Sequence, residues 1–152
     1  MNIPRREWQS ALCALHANEV KEMAAKLTRD VEVSDVALPH GGLGLLTLRD
    51  GAFHESFYLG EIPVARSDVM LRIPGGEEIR GGAIIVDDRA QFARSIAILD
   101  AVLTGRFPGW EQAAILIERG IGIRMQKDSE RKQMLAATRV DFSLLGQEDE
   151  DE

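Results

Sequence analysis

One cysteine, one tyrosine, two tryptophans and three histidines are all that this chain of 152 residues offers of those chemically versatile types. A single cysteine, Cys13, forms no internal disulfide and falls short of the four thiolates that an iron–sulfur cluster usually takes. It sits in the apolar stretch Ala11-Leu12-Cys13-Ala14-Leu15, where it is expected to pack as a small hydrophobe. His16, His40 and His54 combine with one another, with Cys13 or with a carboxylate in no zinc spacing, so no metal site is expected. No run of about 18 apolar residues is present, and no apolar stretch follows Arg5 and Arg6 as in a signal peptide. No membrane partner is expected, and the expected location is cytoplasmic. Basic excess is missing too. The formal net charge is −7. Nucleic-acid binding rests on Lys and Arg neutralising phosphates, so no nucleic-acid partner is expected either.

What is present has the texture of an ordinary globular chain, with 45% hydrophobic and 28% charged residues. One domain is expected over residues 1–146. The last six residues, Gln147-Glu148-Asp149-Glu150-Asp151-Glu152, form a block of like charge. Such a block repels itself and stays solvated, so residues 147–152 are read as a disordered acidic tail.

Periodicity divides the chain into helices, then strands, then helices again. Trp8, Leu12 and Leu15 share one face of a helix over Pro4 to Ala17. A second helix follows, with Asn18 as N-cap and Val20, Met23, Ala24 and Leu27 as its apolar stripe, ending near Arg29. From Val31 the pattern is extended. Pro39-His40-Gly41-Gly42 is read as a turn, Leu43 to Arg49 as a strand, and Asp50-Gly51 as a hairpin turn. Phe53 to Leu59 is the return strand, ended by Gly60. Val64 to Ile73 and Ile79 to Val86 are further strands, separated by Pro74-Gly75-Gly76, with Gly81-Gly82 as a bulge. Connections this short join antiparallel neighbours, giving a meander. A helix capped by Asp87 or Asp88 then carries Phe92, Ile96, Leu99 and Leu103 on one face. Trp110, Ala114 and Ile117 mark a shorter helix, broken at Gly120-Ile121-Gly122 because each glycine costs about 1 kcal/mol inside a helix. Ser129 to Thr138 is helix-prone. Val140, Phe142 and Leu144 alternate with Arg139, Asp141 and Ser143, the period of a final short strand. The fold class expected is α+β: an N-terminal helix pair, an antiparallel β meander, C-terminal helices and a last strand.

The same residues hold no recognisable catalytic set. Pro39-His40-Gly41-Gly42-Leu43-Gly44 is glycine-rich, but it leads into a strand and no Gly-Lys-Ser/Thr follows. Most of the carboxylates Glu55, Glu61, Asp68, Asp87, Asp88 and Asp100 are expected to face water, and no nucleophile elbow accompanies the serines. Two patterns stand out. Arg66-Ser67-Asp68 and Arg139-Val140-Asp141 each put opposite charges on one face of a strand. Arg66, Asp68, Arg139 and Asp141 are read as candidates for a charged face that meets a partner, since the Arg fork recognises carboxylates bidentately. A free-standing enzyme with a carboxylate site, and a module holding a small phosphorylated ligand on the Gly41-Gly42 loop, are the competing readings.

Three segments together resemble the PhnG family. They are Arg6-Glu7-Trp8 through Leu27, then Phe57-Tyr58-Leu59-Gly60-Glu61-Ile62-Pro63-Val64-Ala65-Arg66, then Ala137-Thr138-Arg139-Val140-Asp141-Phe142. Asp100-Ala101 also matches. The chain departs at Ser143, where members commonly carry an aromatic, and at Val86-Asp87-Asp88-Arg89, where they often read Gly-Arg-Asp. The resemblance implies an accessory subunit, without catalytic residues of its own, of the carbon–phosphorus lyase core complex. Its implied partners are PhnH-, PhnI- and PhnJ-type subunits and an ATP-binding-cassette-like protein. The implied reaction displaces adenine from MgATP by a phosphonate, giving α-D-ribose 1-methylphosphonate 5-triphosphate. No cofactor is implied for this chain. MgATP and an iron–sulfur cluster are implied elsewhere in the complex.

Overall fold

The structure is a computed structural model and describes residues 3–72 and 76–138. Helices α1 (Arg5–Cys13) and α2 (Ala17–Leu27) come first, then strands β1 (Glu32–Arg49), β2 (Ser56–Arg72) and β3 (Glu78–Ile85), then helices α3 (Ala90–Gly105) and α4 (Trp110–Ala137). The strands form one antiparallel sheet in the order β1-β2-β3. This is the α+β arrangement and the meander expected from sequence. The final strand expected at Val140 to Leu144, with the tail, lies outside the described residues.

Helix α3 is the centre of the core. Phe92, Ala93, Ile96, Leu99, Val102 and Leu103 are all buried, because the sheet lies against one side of the helix and the other helices surround the rest. The face of the sheet that meets α3 carries Ala65, Val69 and Leu71 from β2 and Ala83 and Ile85 from β3, all buried at alternate positions. Gly81 joins this face for a steric reason. A Cβ there would stand 2.1 Å from the Ala97 carbonyl oxygen, so the helix can approach only a bare backbone. The bulge expected at Gly81-Gly82 is therefore regular pairing, with Gly81 opposite Val69 and Gly82 opposite Asp68.

Several breaks expected from sequence are absorbed instead. The turn expected at Pro39–Gly42 lies inside β1, and the strand end expected at Gly60 lies inside β2. Both become bulges. β1 gains an unpaired residue between Asp35 and Ala37 and another between Ala37 and His40, and β2 gains one between Tyr58 and Gly60. Pro39 is tolerated because β1 is an edge strand. The turn after β1 takes Asp50 as expected but runs on to Glu55, closed by Phe53 N–H donating to the Asp50 carboxylate. At the helix starts His16 rather than Asn18, and Arg89 rather than Asp87 or Asp88, occupies the N-cap position. The break expected at Gly120-Ile121-Gly122 is absent, and α4 runs through it. Cys13 is exposed at the end of α1 rather than packed.

Two elements run out beyond the core. In α4 the buried positions end at Gly120, and from Met125 to Thr138 every side chain is exposed. In the sheet, β3 pairs only with Ala65–Arg72 of β2. Beyond Ala65, β1 and β2 continue as a two-stranded ribbon of about 30 Å, nine residues of β2 at ~3.3 Å each. The alternation set by the core puts Leu43, Leu45, Pro63 and, past the bulge, Tyr58 on one face of the ribbon. Leu46, Leu48, Phe57, Ile62 and Val64 fall on the other. Leu43 and Leu45 are 69% and 62% exposed, and Leu46, Leu48 and Phe57 are exposed on the opposite face. The ribbon is apolar on both faces.

Candidate binding site

Among the described residues the sheet has helices on one face only, and its other face carries a charged cleft. Arg66 and Asp68 of β2 and Arg80 of β3 all point to this side, by the same alternation that turns Ala65, Val69 and Gly81 to the core. Asp68 accepts from both arginines. Its Oδ2 takes Arg66 Nε and NH2 at 3.2 and 2.9 Å, and its Oδ1 takes Arg80 NH2 at 3.1 Å. These guanidinium hydrogen bonds, Arg66 first, hold the Asp68 carboxyl below its ordinary pKa. Gly82 makes room for the arrangement, since a Cβ there would sit 3.2 Å from Asp68 Oδ1.

At the outer edge of β3, which no other described strand pairs, the cleft is completed by α1 and α3. Gln9 acts as a short mimic of a missing strand. Its amide nitrogen donates to the Gly82 carbonyl at 3.1 Å and its oxygen accepts from Ile84 N–H at 3.2 Å, so two edge groups are paired. One turn earlier, Arg5 clamps Asp100 of α3 bidentately, Nε to Oδ1 at 2.8 Å and NH2 to Oδ2 at 2.6 Å. The backbone N–H of Gly82 gives Asp100 a third bond at 3.1 Å. The clamp raises the Arg5 pKa further above its ordinary value. Asp100 is only 3% exposed, an exception among carboxylates most of which are expected to face water. A carboxylate buried in an apolar helix requires such partners, because an unpaired one would neutralise instead.

Together Arg5, Arg66, Arg80, Asp68 and Asp100 line a cavity of about 570 Å³, within the size range of small-ligand sites. Ser67 borders it only through its backbone side. Its side chain belongs to the helix-facing set, and its hydroxyl is buried there without a hydrogen-bond partner.

The structure thus brings Arg66 and Asp68 together, while Arg139 and Asp141 lie outside the described residues. Sequence reasoning missed Arg5, Gln9 and Arg80. The available signal was Asp100, one acid in the apolar run from Ile96 to Leu103, which demands a cationic partner. His40 lies beside Arg66 on the open face and His54 occupies the ribbon turn with positive φ. His16 stands exposed at the start of α2. Among the described residues no three His, Cys, Asp or Glu side chains gather as a metal site. The Cys13 thiol is pushed up in pKa by desolvation and then by Asp87, the wrong direction for a nucleophile.

The family model for the phosphonate metabolism protein PhnG matches residues 3–146. The chain belongs to the PhnG family. A search of curated proteins gave no match. Membership implies a role in phosphonate metabolism. None of its described helices is long and apolar enough to cross a membrane.

Proposed function

We propose that this PhnG-family chain is an accessory subunit of the carbon–phosphorus lyase core complex. In that role it works with PhnI- and PhnH-type subunits and an ATP-binding-cassette-like protein in displacing adenine from MgATP by a phosphonate, before a PhnJ-type subunit breaks the C–P bond. The observation that carries the reading is the β1–β2 ribbon. A two-stranded hairpin alone is at best marginally stable in water. One with Leu43, Leu45 and Tyr58 on one face and Leu46, Leu48 and Phe57 on the other has both sides to cover. A subunit that inserts the ribbon into a larger partner covers both at once. Arg66 and Asp68, at the root of the ribbon, are proposed as the charged rim of that contact, with Arg139 and Asp141 as further rim residues.

The test shortens the ribbon at a paired position. Gly44 and Ile62 are opposite each other, so residues 45–61 can be replaced by Asn-Gly, a two-residue hairpin turn. The shortened chain is expected to melt close to the full chain and to lose co-purification with the PhnI-type subunit of the same genome. Full-yield co-purification of the shortened chain overturns the reading.

A further inference from the structure

The three guanidiniums of the cleft are held from one side and open on the other. Each Arg carries five N–H donors in a planar fork. Arg5 and Arg66 each use Nε and one terminal nitrogen on their carboxylates, and Arg80 uses one terminal nitrogen. The remaining donors belong to side chains that are about half-exposed, whereas Asp68 and Asp100 are 13% and 4% exposed beneath them. A solute entering the cavity therefore meets guanidinium before carboxylate. Three Arg against two Asp leave a local charge of +1 in a chain of net charge −7. The carboxylates also fix the arginines in place, which reduces the side-chain entropy that a ligand would otherwise have to remove.

The number of forks decides the ligand class. A carboxylate has two oxygens and is satisfied by one fork. A tetrahedral phosphoryl or phosphonyl group presents three oxygens, enough to engage Arg5, Arg66 and Arg80 from their separate strands and helix. We propose that the cleft is a binding site for a phosphonate or phosphate oxyanion, held by Arg5, Arg66 and Arg80. The choice of a phosphonate as the physiological ligand rests on the proposed role in phosphonate metabolism; the tetrahedral oxyanion itself rests on the cleft alone. Bound there, the anion would lie on the open face of the sheet, next to the root of the ribbon.

Calorimetric titration of the full chain with methylphosphonate, and separately with inorganic phosphate, tests the site at low ionic strength, where screening is weakest. Saturable one-to-one binding is expected for both. Arg80→Gln should weaken it by at least tenfold while leaving the melting temperature nearly unchanged, because Asp68 keeps Arg66 as its partner. Arg89→Gln, on a guanidinium outside the cleft paired with Asp87, should leave the affinity as it was. No saturable binding by either anion overturns the proposal, and so does equal weakening by the two variants, which would report net charge alone. Co-purification with the PhnI-type subunit is measured on the same samples. Oxyanion binding without co-purification would leave the site standing and remove the subunit reading. Arg80→Gln that abolishes co-purification in a chain with no oxyanion affinity would make the natural anion a partner's carboxylate, which overturns the site and leaves the subunit reading intact.

Discussion

Gly120 of α4 rests against the backbone of Ala11 in α1, so closely that a Cβ at position 120 would stand 2.2 Å from the Ala11 carbonyl oxygen. The two helices touch there through bare main chain. Gly122, one residue past Ile121, has nothing within 4 Å of its own Cβ position. Two glycines of one short motif thus have opposite roles.

Substitution should separate them. Gly120→Ala forces α1 and α4 apart and is expected to destabilise by about 1–3 kcal/mol, the usual range for overpacking. Gly122→Ala removes a flexible residue from an open helix position and should stabilise by roughly 0.5–1 kcal/mol. For a chain of this size each kcal/mol moves the melting temperature by about 2–4 °C. Melting curves of the two variants should therefore shift in opposite directions, and a common direction would show that the helix contact is not what selects Gly120.

The same pair explains what the sequence could and could not reveal. The apolar positions Trp8, Leu12 and Leu15 are buried as the period predicts, Leu15 just past the end of α1, and the stripe Phe92-Ile96-Leu99-Leu103 finds α3, which is buried on every side from Ser95 to Leu103 rather than on one face. The antiparallel meander was legible from the short links between extended runs. Gly120, Gly81, Pro39 and Gly60 were misread as breaks. Their meaning is set by what lies opposite, Ala11 and Ala97 across helix contacts and a bulged ladder across strands, and no local window contains that partner. The cleft was half legible for the same cause. Arg66 and Asp68 are neighbours in sequence, but Arg5 meets Asp100 across 95 positions.

The Arg5–Asp100 clamp should be asymmetric under mutation. Arg5→Ala leaves a buried carboxylate with only the Gly82 N–H, and is expected to cost about 1–3 kcal/mol, the range for stranding a buried polar partner. Asp100→Asn keeps an acceptor for Gly82 and strands only a half-exposed guanidinium, so it should cost less. Denaturant unfolding of both variants checks the order. A larger loss for Asp100→Asn would mean that the charge of Asp100, rather than its pairing, holds the edge of β3.

Acid stability should depend on Asp87. Hydrogen bonds from the Arg89 side chain, at 2.8 Å through Nε, and then from the Arg89 backbone N–H lower its pKa from 3.8 to about 2. A folded-state value below the unfolded one makes the contribution complete above about pH 4 and lost as the pH falls through about 2. Asp68 is shifted in the same direction by Arg66 and Arg80. The melting temperature is expected to decline between about pH 4 and pH 2, with Asp87→Asn flattening part of that decline. An unchanged profile in Asp87→Asn would show that the Asp87–Arg89 pair, only two residues apart, persists in the unfolded chain.

The ribbon makes the sharpest prediction about dynamics. Residues 65–72 of β2 pair on both sides and turn alternate side chains into the core, whereas residues 56–64 pair, among the described residues, only with β1 and have both faces uncovered. Local opening is easiest where few apolar contacts support the hydrogen bonds. In the isolated chain, amides of 56–64 and their β1 partners 42–49 should exchange with solvent far faster than amides of 65–72. On assembly with a PhnI-type partner the ribbon amides should slow to the level of the core, because covering both faces removes the reason for opening. Fast exchange that persists in the assembly would place the partner elsewhere on the molecule, with the exposed half of α4 as the next surface to map.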